Sequence, residues 1–426
     1  MDPLPERKSE MASGPSLGDI LMGAAFAVAV VAAALSINLQ TPYLAFSVAS
    51  AFVFHLRSRP RNWEVLAAVA IAGLLAAARL ALRGTEPGAI VGLVAAMVGS
   101  GSFLVLGFRA VRAKGEDRRR ILALLGPALG LVFFIFSAQR ALNLADLLYP
   151  KTRDIYLYAF DGSLGFQPSF LMGRLFKYSA LVRLLGVLAY TTLPLVMTIV
   201  YAGNIDPKSA KPNWYILELF FAAGLLGWVL YNLVPGTGPA YAFNGMFPDQ
   251  YLPYRVLHRL ALEPVAVGTD FPRNAIPSLH MAWVLLLWWS CRKFSWPARA
   301  GALLYVMLTV MATLGTGEHY LVDLAAAVPF ALAVEALCLR SVAFRRRLAP
   351  LLVGTSLTLG WLGLVRFGVP LALQARAIPW LCIVMSTAAV LWIERRLHEA
   401  AIVKAPSQGA DGAPEIKAAT TAAGTT

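Results

Sequence analysis

Long apolar stretches recur along the whole chain, from Leu17 to Ile393, and shorter segments that hold most of the charged residues separate them. The stretches are roughly 17 to 22 residues long, and a helix of about 20 residues crosses a hydrocarbon core of about 30 Å. Helices also satisfy their own backbone polar groups, which lipid cannot do. The pattern therefore predicts an all-α, polytopic membrane protein with about twelve transmembrane helices. The predicted spans are residues 17–37, 40–56, 63–82, 87–108, 120–141, 181–202, 213–234, 277–291, 297–314, 320–339, 348–366 and 376–393.

The chain divides at its most basic stretch, RAVRAKGEDRRR, at residues 109–120. The four apolar helices before this stretch carry no candidate chemistry, whereas the residues after it include the conspicuous histidines and aromatic loops. The predicted regions are a cytoplasmic tail (1–16), a four-helix membrane region (17–108), a region with candidate chemistry (120–340), two C-terminal transmembrane helices (348–393) and a disordered cytoplasmic tail (403–426).

Composition and charge support a membrane location. Hydrophobic residues make up 58% of the chain and charged residues 14%, which is unusual for a soluble domain. The net charge of +14 could indicate a nucleic-acid partner, but 24 of the 37 Lys and Arg residues fall on one side of the predicted membrane. This is the positive-inside bias. It predicts a multi-pass protein of the plasma (inner) membrane with both termini in the cytoplasm and no nucleic-acid partner.

Two long non-cytoplasmic segments, 142–180 and 235–276, interrupt the apolar pattern. The first contains Asp146, Asp154 and Asp161 and is predicted to be part loop and part interfacial helix. The second is rich in Pro, Gly and aromatic residues. Loops of this length are usually functional or disordered, and the aromatic residues favour a packed cap.

Two short sequences on the predicted outer face contain histidine. PSLH ends at His280, and GTGEHYLVD contains His319 and Asp323. Counting helices places both histidines at the non-cytoplasmic boundary, so the two imidazoles are expected to meet in space although 39 residues separate them.

The spacing of His319 and Asp323 places them about one turn apart on one face of a helix. A carboxylate within a span costs about 2.5 to 3.5 kcal/mol, so Asp323 should have a partner. A carboxylate that accepts the N–H of one ring nitrogen makes the other nitrogen a better nucleophile or base. The alternative is that Asp323 only holds its helix against a neighbour.

His280 supplies a second imidazole. One imidazole can attack phosphorus while the other, protonated, gives a proton to the leaving oxygen. Ser278 and the free N–H groups at a helix start form a seat for an anion. The alternative is a Pro-Ser helix start that carries an interfacial histidine.

Together, PSLH and TGEHYLVD resemble the second and third signatures of the type 2 phosphatidic acid phosphatase superfamily. They are most similar to the branch of fungal inositol phosphorylceramide synthases and their bacterial relatives. Leu279 stands where lipid phosphatases have Gly, and Tyr320 follows the second histidine, as in that branch. The stretch YNLVPGTGPAYAF, residues 231–243, is similar to a Pro-rich stretch of the same branch. The resemblance covers about residues 120–340 and implies a lipid-phosphatase-like catalytic core of six helices.

The resemblance also implies a role for each matching residue. His319 would be the nucleophile, Asp323 its orienting partner, and His280 the general acid that then activates water or an acceptor alcohol. Ser278 would help to hold the phosphate oxygens.

Two departures from the family leave the phosphate-binding cations unassigned. Ala312 and Thr313 stand where a Ser-Arg pair is expected, and there is no Lys-x6-Arg-Pro first motif. Arg273 and Arg140 are the candidate phosphate ligands. The alternatives are a loop surface charge for Arg273 and an interface anchor for Arg140. No metal or other cofactor is expected, because a phosphohistidine route needs none.

These observations predict a membrane lipid phosphatase or a phospholipid head-group phosphotransferase, related to inositolphosphotransferases, that acts on the outer face through a phosphohistidine. Its substrate would be a lipid with a phosphate or phosphodiester head group, and a transferase would also bind a lipid alcohol acceptor. Two other classes stay open. A multi-pass transporter would place ionisable residues deep in several spans, and a polyprenyl-phosphate-dependent glycosyltransferase would use Asp146, Asp154 and Asp161 of the outer segment.

Overall fold

The computed structural model is almost entirely helical. It describes residues 15–39, 42–84, 87–205, 214–268 and 270–402. The only strands among these residues are the two-residue β1 (Lys151–Thr152) and β2 (Val265–Ala266), which pair antiparallel. The all-α prediction is therefore confirmed. The predicted disordered tail, 403–426, and most of the predicted N-terminal tail, 1–16, lie outside the described residues.

The described residues form long helices that repeat the predicted spans and shorter helices that belong to the connecting segments. The helices are α1 (Leu17–Ser36), α2 (Pro42–Arg57), α3 (Asn62–Arg83), α4 (Ile90–Arg112), α5 (Gly115–Leu148), α6 (Asp154–Ser163), α7 (Pro168–Tyr178), α8 (Ala180–Thr191), α9 (Leu193–Asn204), α10 (Tyr215–Tyr231), α11 (Pro239–Ala242), α12 (Tyr254–Leu257), α13 (Leu279–Ser290), α14 (Trp296–Gly315), α15 (Leu321–Cys338), α16 (Phe344–Phe367), α17 (Val369–Ala372) and α18 (Ala377–Ile402).

Fewer helices are long enough to cross a membrane than the apolar pattern predicts. Eight helices in the described residues are long and apolar enough, and α8 with α9, bent by 57°, makes nine. The helices α2, α10 and α13 coincide with predicted spans but have 16, 17 and 12 residues. Because a helix rises about 1.5 Å per residue, α13 is only about 18 Å long. Hydropathy detects burial in lipid and burial in protein alike, so these three predicted spans stay predictions.

The N-terminal helices share a hydrophobic core with the rest of the chain. Helices α1, α2 and α3 all pack against α4, and α2 also packs against α5 and α9. One cluster of buried apolar residues extends from Ala34 to Val390. The predicted region 17–108 is therefore continuous in its packing with the helices that follow it.

The two long connecting segments fold together as a cap. Helices α6 and α7 and the loop after α10 form a second apolar cluster with the start of α15 and with α16 and α17. Within it, the ring of Phe170 contacts Phe243, Phe247 and Tyr251 at centroid distances of 5.1 to 6.0 Å. The predicted packing of the aromatic loop is confirmed. Strands β1 and β2 tie the two segments together.

Helices α13 and α15 pack against each other and begin at the same end. The backbone N–H of Ser278, at the start of α13, donates to the carbonyl oxygen of Asp323, in the first turn of α15, at 3.0 Å. This hydrogen bond fixes the two helix starts side by side. Because of this pairing of helix starts, the rings of His280 and His319 lie close together, as predicted.

Candidate active site

His319 lies in the turn between α14 and α15, since α15 begins only at Leu321. The residue is 1% exposed, and Nδ1 lies 2.9 Å from the carbonyl oxygen of Ala275. A carbonyl oxygen can only accept a hydrogen bond, so Nδ1 carries the proton. In the neutral ring, Nε2 then keeps its lone pair. The tertiary structure thus leaves Nε2 as the ring atom that can act as a nucleophile or base.

Asp323 is the second neighbour of the same ring nitrogen. Its Oδ2 lies 3.5 Å from Nδ1 of His319 and accepts the backbone N–H of Tyr320 at 2.7 Å. At 3.5 Å the contact is mainly electrostatic, and the Ala275 carbonyl is the closer acceptor. Sequence reasoning identified Asp323 but missed Ala275, because a backbone carbonyl has no signature in the sequence.

His280 is the second residue of α13 and is also buried. Its ring stacks on the ring of Tyr190, with centroids 3.9 Å apart, and its Nε2 contacts the hydroxyl group of Tyr43. The Tyr43 hydroxyl donates its one proton to the carbonyl oxygen of Tyr190 at 2.6 Å. The Tyr43 oxygen must therefore accept the Nε2–H of His280. This leaves Nδ1 of His280 as the nitrogen that can exchange a proton with a ligand.

The two histidine rings lie close enough to act on one group. Their centroids are 6.1 Å apart and their planes meet at 64°. Each ring also has contacts that fix its orientation. His319 hydrogen-bonds to Ala275, and His280 contacts Tyr43 and stacks on Tyr190. The arrangement can present one lone pair and one proton donor to a single small group.

Two buried aspartates of α6 accept hydrogen bonds from the residues that surround His319. Asp161 accepts the backbone N–H groups of Leu321 and Val322 at 2.7 and 3.0 Å, so it caps α15. Asp154 accepts the N–H of Gly238 and the hydroxyl of Tyr320. Burial raises the pKa of Asp154 and raises the pKa of Asp161 to about 8. Both side chains are fully buried and occupied by these contacts.

The Pro-rich stretch after α10 clamps the turn that carries His319. Gly238 has φ of +97°, and a Cβ atom there would lie 2.3 Å from the carbonyl oxygen of Glu318, so only glycine fits. The hydroxyl of Tyr241 donates to Oε1 of Glu318 at 2.6 Å, and the N–H of Ala240 donates to Gly317 at 3.0 Å. Burial raises the pKa of Glu318, and the hydrogen bond from Tyr241 lowers it.

Ser278 is the N-cap of α13. Its hydroxyl oxygen accepts the backbone N–H of Met281 at 3.4 Å, and the side chain is completely buried. The residue therefore positions His280 by starting the helix. Its role as a phosphate ligand stays a prediction.

Arg273 is completely buried and makes hydrogen bonds to backbone carbonyls. Its guanidinium donates to the carbonyl oxygens of Tyr149, Val267, Gly268 and Phe271 at 2.5 to 3.2 Å. These bonds fasten the segment before α13 to the end of α5. The structure thus offers a structural role for Arg273, and phosphate binding by this residue stays a prediction.

Arg140 is exposed on α5, with its guanidinium over the ring of Phe136 at 5.3 Å. Its neighbours Gln139 and Ala141 line the cavity described below, whereas Arg140 does not. This contact is compatible with Arg140 as an interface anchor. Phosphate binding by Arg140 stays a prediction.

A cavity of about 610 Å³ opens on His280. Residues of α2, α5, α8, α10 and α13 and of the loop before α13 form its wall, and no Asp, Glu, Lys or Arg side chain belongs to the wall in the described residues. Its lining residues are Pro42, Tyr43, Phe134, Ile135, Ser137, Ala138, Gln139, Ala141, Leu142, Tyr190, Gly224, Leu225, Trp228, Tyr231, Tyr241, Pro272, Asn274, Leu279, His280 and Trp283.

Sequence reasoning missed the neutral polar residues of this wall. Tyr43 comes from the region that carried no candidate chemistry, and Tyr190 lies within an apolar span. Asn274 lies three residues before Pro277, the first residue of PSLH. Its Oδ1 is buried without a hydrogen-bond partner in the described part of the chain. Only Asn274 had a usable signal, since a polar amide lies beside the helix start that carries His280.

Comparison with known proteins agrees with the location of this site. Residues 155–337 match the model of a family described as the PAP2 superfamily. The matched segment runs from α6 to α15 and contains both histidines and Asp323, and it leaves out α1 to α5 and α16 to α18. No curated protein and no solved structure gives a significant match.

Proposed function

We propose that this chain is a membrane phosphotransferase that moves the phosphoryl-linked head group of a lipid, with His319 as the nucleophile. The match to the PAP2 superfamily supports a phosphatase or phosphotransferase type of function. The observation that carries the proposal is the hydrogen bond from Nδ1 of His319 to the carbonyl of Ala275, because in the neutral ring it selects the tautomer with the lone pair on Nε2.

The reaction has two halves with His319 and His280 in complementary roles. Nε2 of His319 attacks phosphorus, a P–N bond forms, and the bond from phosphorus to the leaving oxygen breaks. His280, as imidazolium, gives the proton on Nδ1 to that oxygen. In the second half an acceptor oxygen attacks phosphorus, its proton passes to His280, and the P–N bond breaks. Proton transfer of this kind contributes about 10² to 10⁴ in rate.

The uncharged wall of the cavity favours a phosphodiester substrate. A phosphate monoester carries close to two negative charges at neutral pH, and such an anion out of water needs a cation beside it. A phosphodiester carries one. Neutral donors such as Asn274 and Tyr190 suit the smaller charge, and the apolar remainder of the wall suits acyl chains. A lipid alcohol is then the expected acceptor, which makes the chain a head-group transferase.

The site is proposed to face the outer side of a plasma membrane. The excess of Lys and Arg on the opposite side supports this orientation, and α13 and α15 both begin at the end that carries the histidines.

The two alternative classes have less support. A transporter path would place charged residues along the cavity, and the wall has none in the described residues. A glycosyltransferase would need accessible carboxylates in the outer segment, but Asp146, Asp154 and Asp161 are all buried. Asp154 and Asp161 also accept backbone N–H groups.

Purified protein in detergent micelles tests the proposal with two lipids that share the same acyl chains. One is a glycerophospholipid with a phosphodiester head group, and the other is the corresponding phosphate monoester. We expect head-group transfer from the diester to a lipid alcohol, and only slow release of phosphate from the monoester. If the monoester is turned over faster than the diester, the proposed transferase activity is rejected. If folded protein turns over neither lipid, both the transferase and the phosphatase activity are rejected.

A further inference from the structure

A second polar cluster lies at the opposite end of α15 from the histidines. Glu335 of α15 and Glu394 and His398 of α18 each place one ligand atom so that the three atoms lie within 4.8 Å of one another. Glu335 is 2% and Glu394 1% exposed. Asp323 precedes Glu335 by twelve residues on the same helix, which corresponds to a separation of about 18 Å. The cluster is therefore distinct from the candidate active site.

The polar atoms of this cluster are incompletely satisfied. Oε2 of Glu335, Oε1 of Glu394 and Nδ1 of His398 are buried and have no hydrogen-bond partner within the described ranges. Ionised carboxylates and an unprotonated ring nitrogen are acceptors, so they cannot satisfy one another. Three buried acceptors this close together are stabilised by a shared proton or a shared cation.

The charges of the cluster leave room for one more cation. Arg292, in the turn after α13, makes an ion pair with Oε2 of Glu394. Within the described residues, the ion-pair partner of Glu335 Oε1 is Nδ1 of His398, at 4.0 Å. Two buried carboxylates against one guanidinium have a net charge of −1 when His398 is neutral. A divalent cation would reverse this charge and satisfy all three acceptors at once, whereas a single proton satisfies one pair.

We propose that Glu335, Glu394 and His398 bind a divalent transition-metal ion, with Zn²⁺ as the first ion to test. Two carboxylates and one imidazole form a common nitrogen and oxygen ligand set for Zn²⁺. Around a tetrahedral ion with bonds of about 2.1 Å the ligand atoms lie about 3.4 Å apart, so the side chains need to close by up to about 1.4 Å. The ion would join α18 to α15, and it would hold the last helix against the helix that starts at the active site.

The test measures bound metal on the full chain in detergent. The protein is treated with a chelator, loaded with Zn²⁺, separated from free metal by gel filtration and analysed by mass spectrometry for zinc. We expect about one zinc per chain for the wild type and for Glu399→Gln, whose carboxylate is exposed on the same helix and pairs with Arg395. We expect at least a fivefold lower content in Glu335→Gln and in His398→Gln.

Thermal unfolding gives a second readout that is independent of lipid turnover. A ligand that binds only the folded state raises Tm, so Zn²⁺ should raise the Tm of chelator-treated wild type and of Glu399→Gln, and it should leave Glu335→Gln unchanged. A wild type that retains no more zinc than Glu335→Gln overturns the proposal, as does equal retention by all variants. If Glu335→Gln fails to fold, the zinc content of His398→Gln and the rise in Tm of the wild type with added Zn²⁺ test the proposal.

Discussion

The hydroxyl group of Tyr43, near the start of α2, contacts Nε2 of His280, although 237 residues separate the two in the chain. The same hydroxyl donates to the carbonyl of Tyr190, so it can only accept the proton of His280. An N-terminal helix outside the segment that matches the PAP2 superfamily thus completes the candidate active site. The helices before the matched segment therefore contribute to the candidate active site.

Tyr43→Phe removes the acceptor of the His280 proton while it keeps the ring. Loss of one hydrogen bond to a buried partner is worth about 1 to 2 kcal/mol, so we expect kcat to fall roughly tenfold or more with little change in KM. The control is Tyr178→Phe, because Tyr178 is 77% exposed. A Tyr43→Phe enzyme with the kcat of this control would show that the contact has no role in turnover.

His319→Ala should abolish head-group transfer without preventing membrane insertion, since it removes the nucleophile. His280→Asn removes only the proton donor, and we expect turnover to fall by about 10² to 10⁴. His258→Ala provides the comparison, because His258 is exposed. Rates are measured on detergent-purified protein that elutes as a single species. Measurable turnover by His319→Ala would mean that another residue attacks phosphorus.

Gly238→Ala should distort the turn that carries His319. Its added Cβ would lie 2.3 Å from the carbonyl oxygen of Glu318, in a residue whose φ is +97°. Gly245→Ala is a matched control, since Gly245 has φ of +82° but open space around its Cβ position. Both substitutions carry a backbone strain of about 1 to 3 kcal/mol. Only Gly238→Ala should also lose most of its transfer activity, and equal activities would contradict the proposed clamp.

Arg273→Lys distinguishes a structural role from a phosphate-binding role. A lysine keeps the charge but cannot donate to four carbonyl oxygens as the guanidinium does. We expect the free energy of unfolding to fall by about 2 to 3 kcal/mol, seen as a lower Tm. The exposed Arg259 supplies the control variant, Arg259→Lys. An unchanged Tm together with a raised KM for the lipid would instead favour Arg273 as a phosphate ligand.

Local patterns in the sequence were sufficient for the membrane-embedded, all-α fold and for the residue types of the site. Apolar runs identify buried helices because both lipid and protein interiors exclude unsatisfied backbone groups. Helix counting placed His280 and His319 at the same end, and the described structure has their rings 6.1 Å apart. The spacing of His319 and Asp323 brought those side chains to 3.5 Å, although His319 precedes the helix.

Contacts between distant segments depended on tertiary packing alone. The Ala275 carbonyl beside His319, the Tyr43 hydroxyl beside His280 and the approach of Glu335 to Glu394 and His398 of α18 join segments that share no local pattern. The sequence by itself determined that helices form, where charge is tolerated and which side chains can do chemistry, because those properties depend on neighbours within one or two helical turns. The tertiary structure decided which ring nitrogen is free and what surrounds it, because those depend on how helices far apart in the chain pack together.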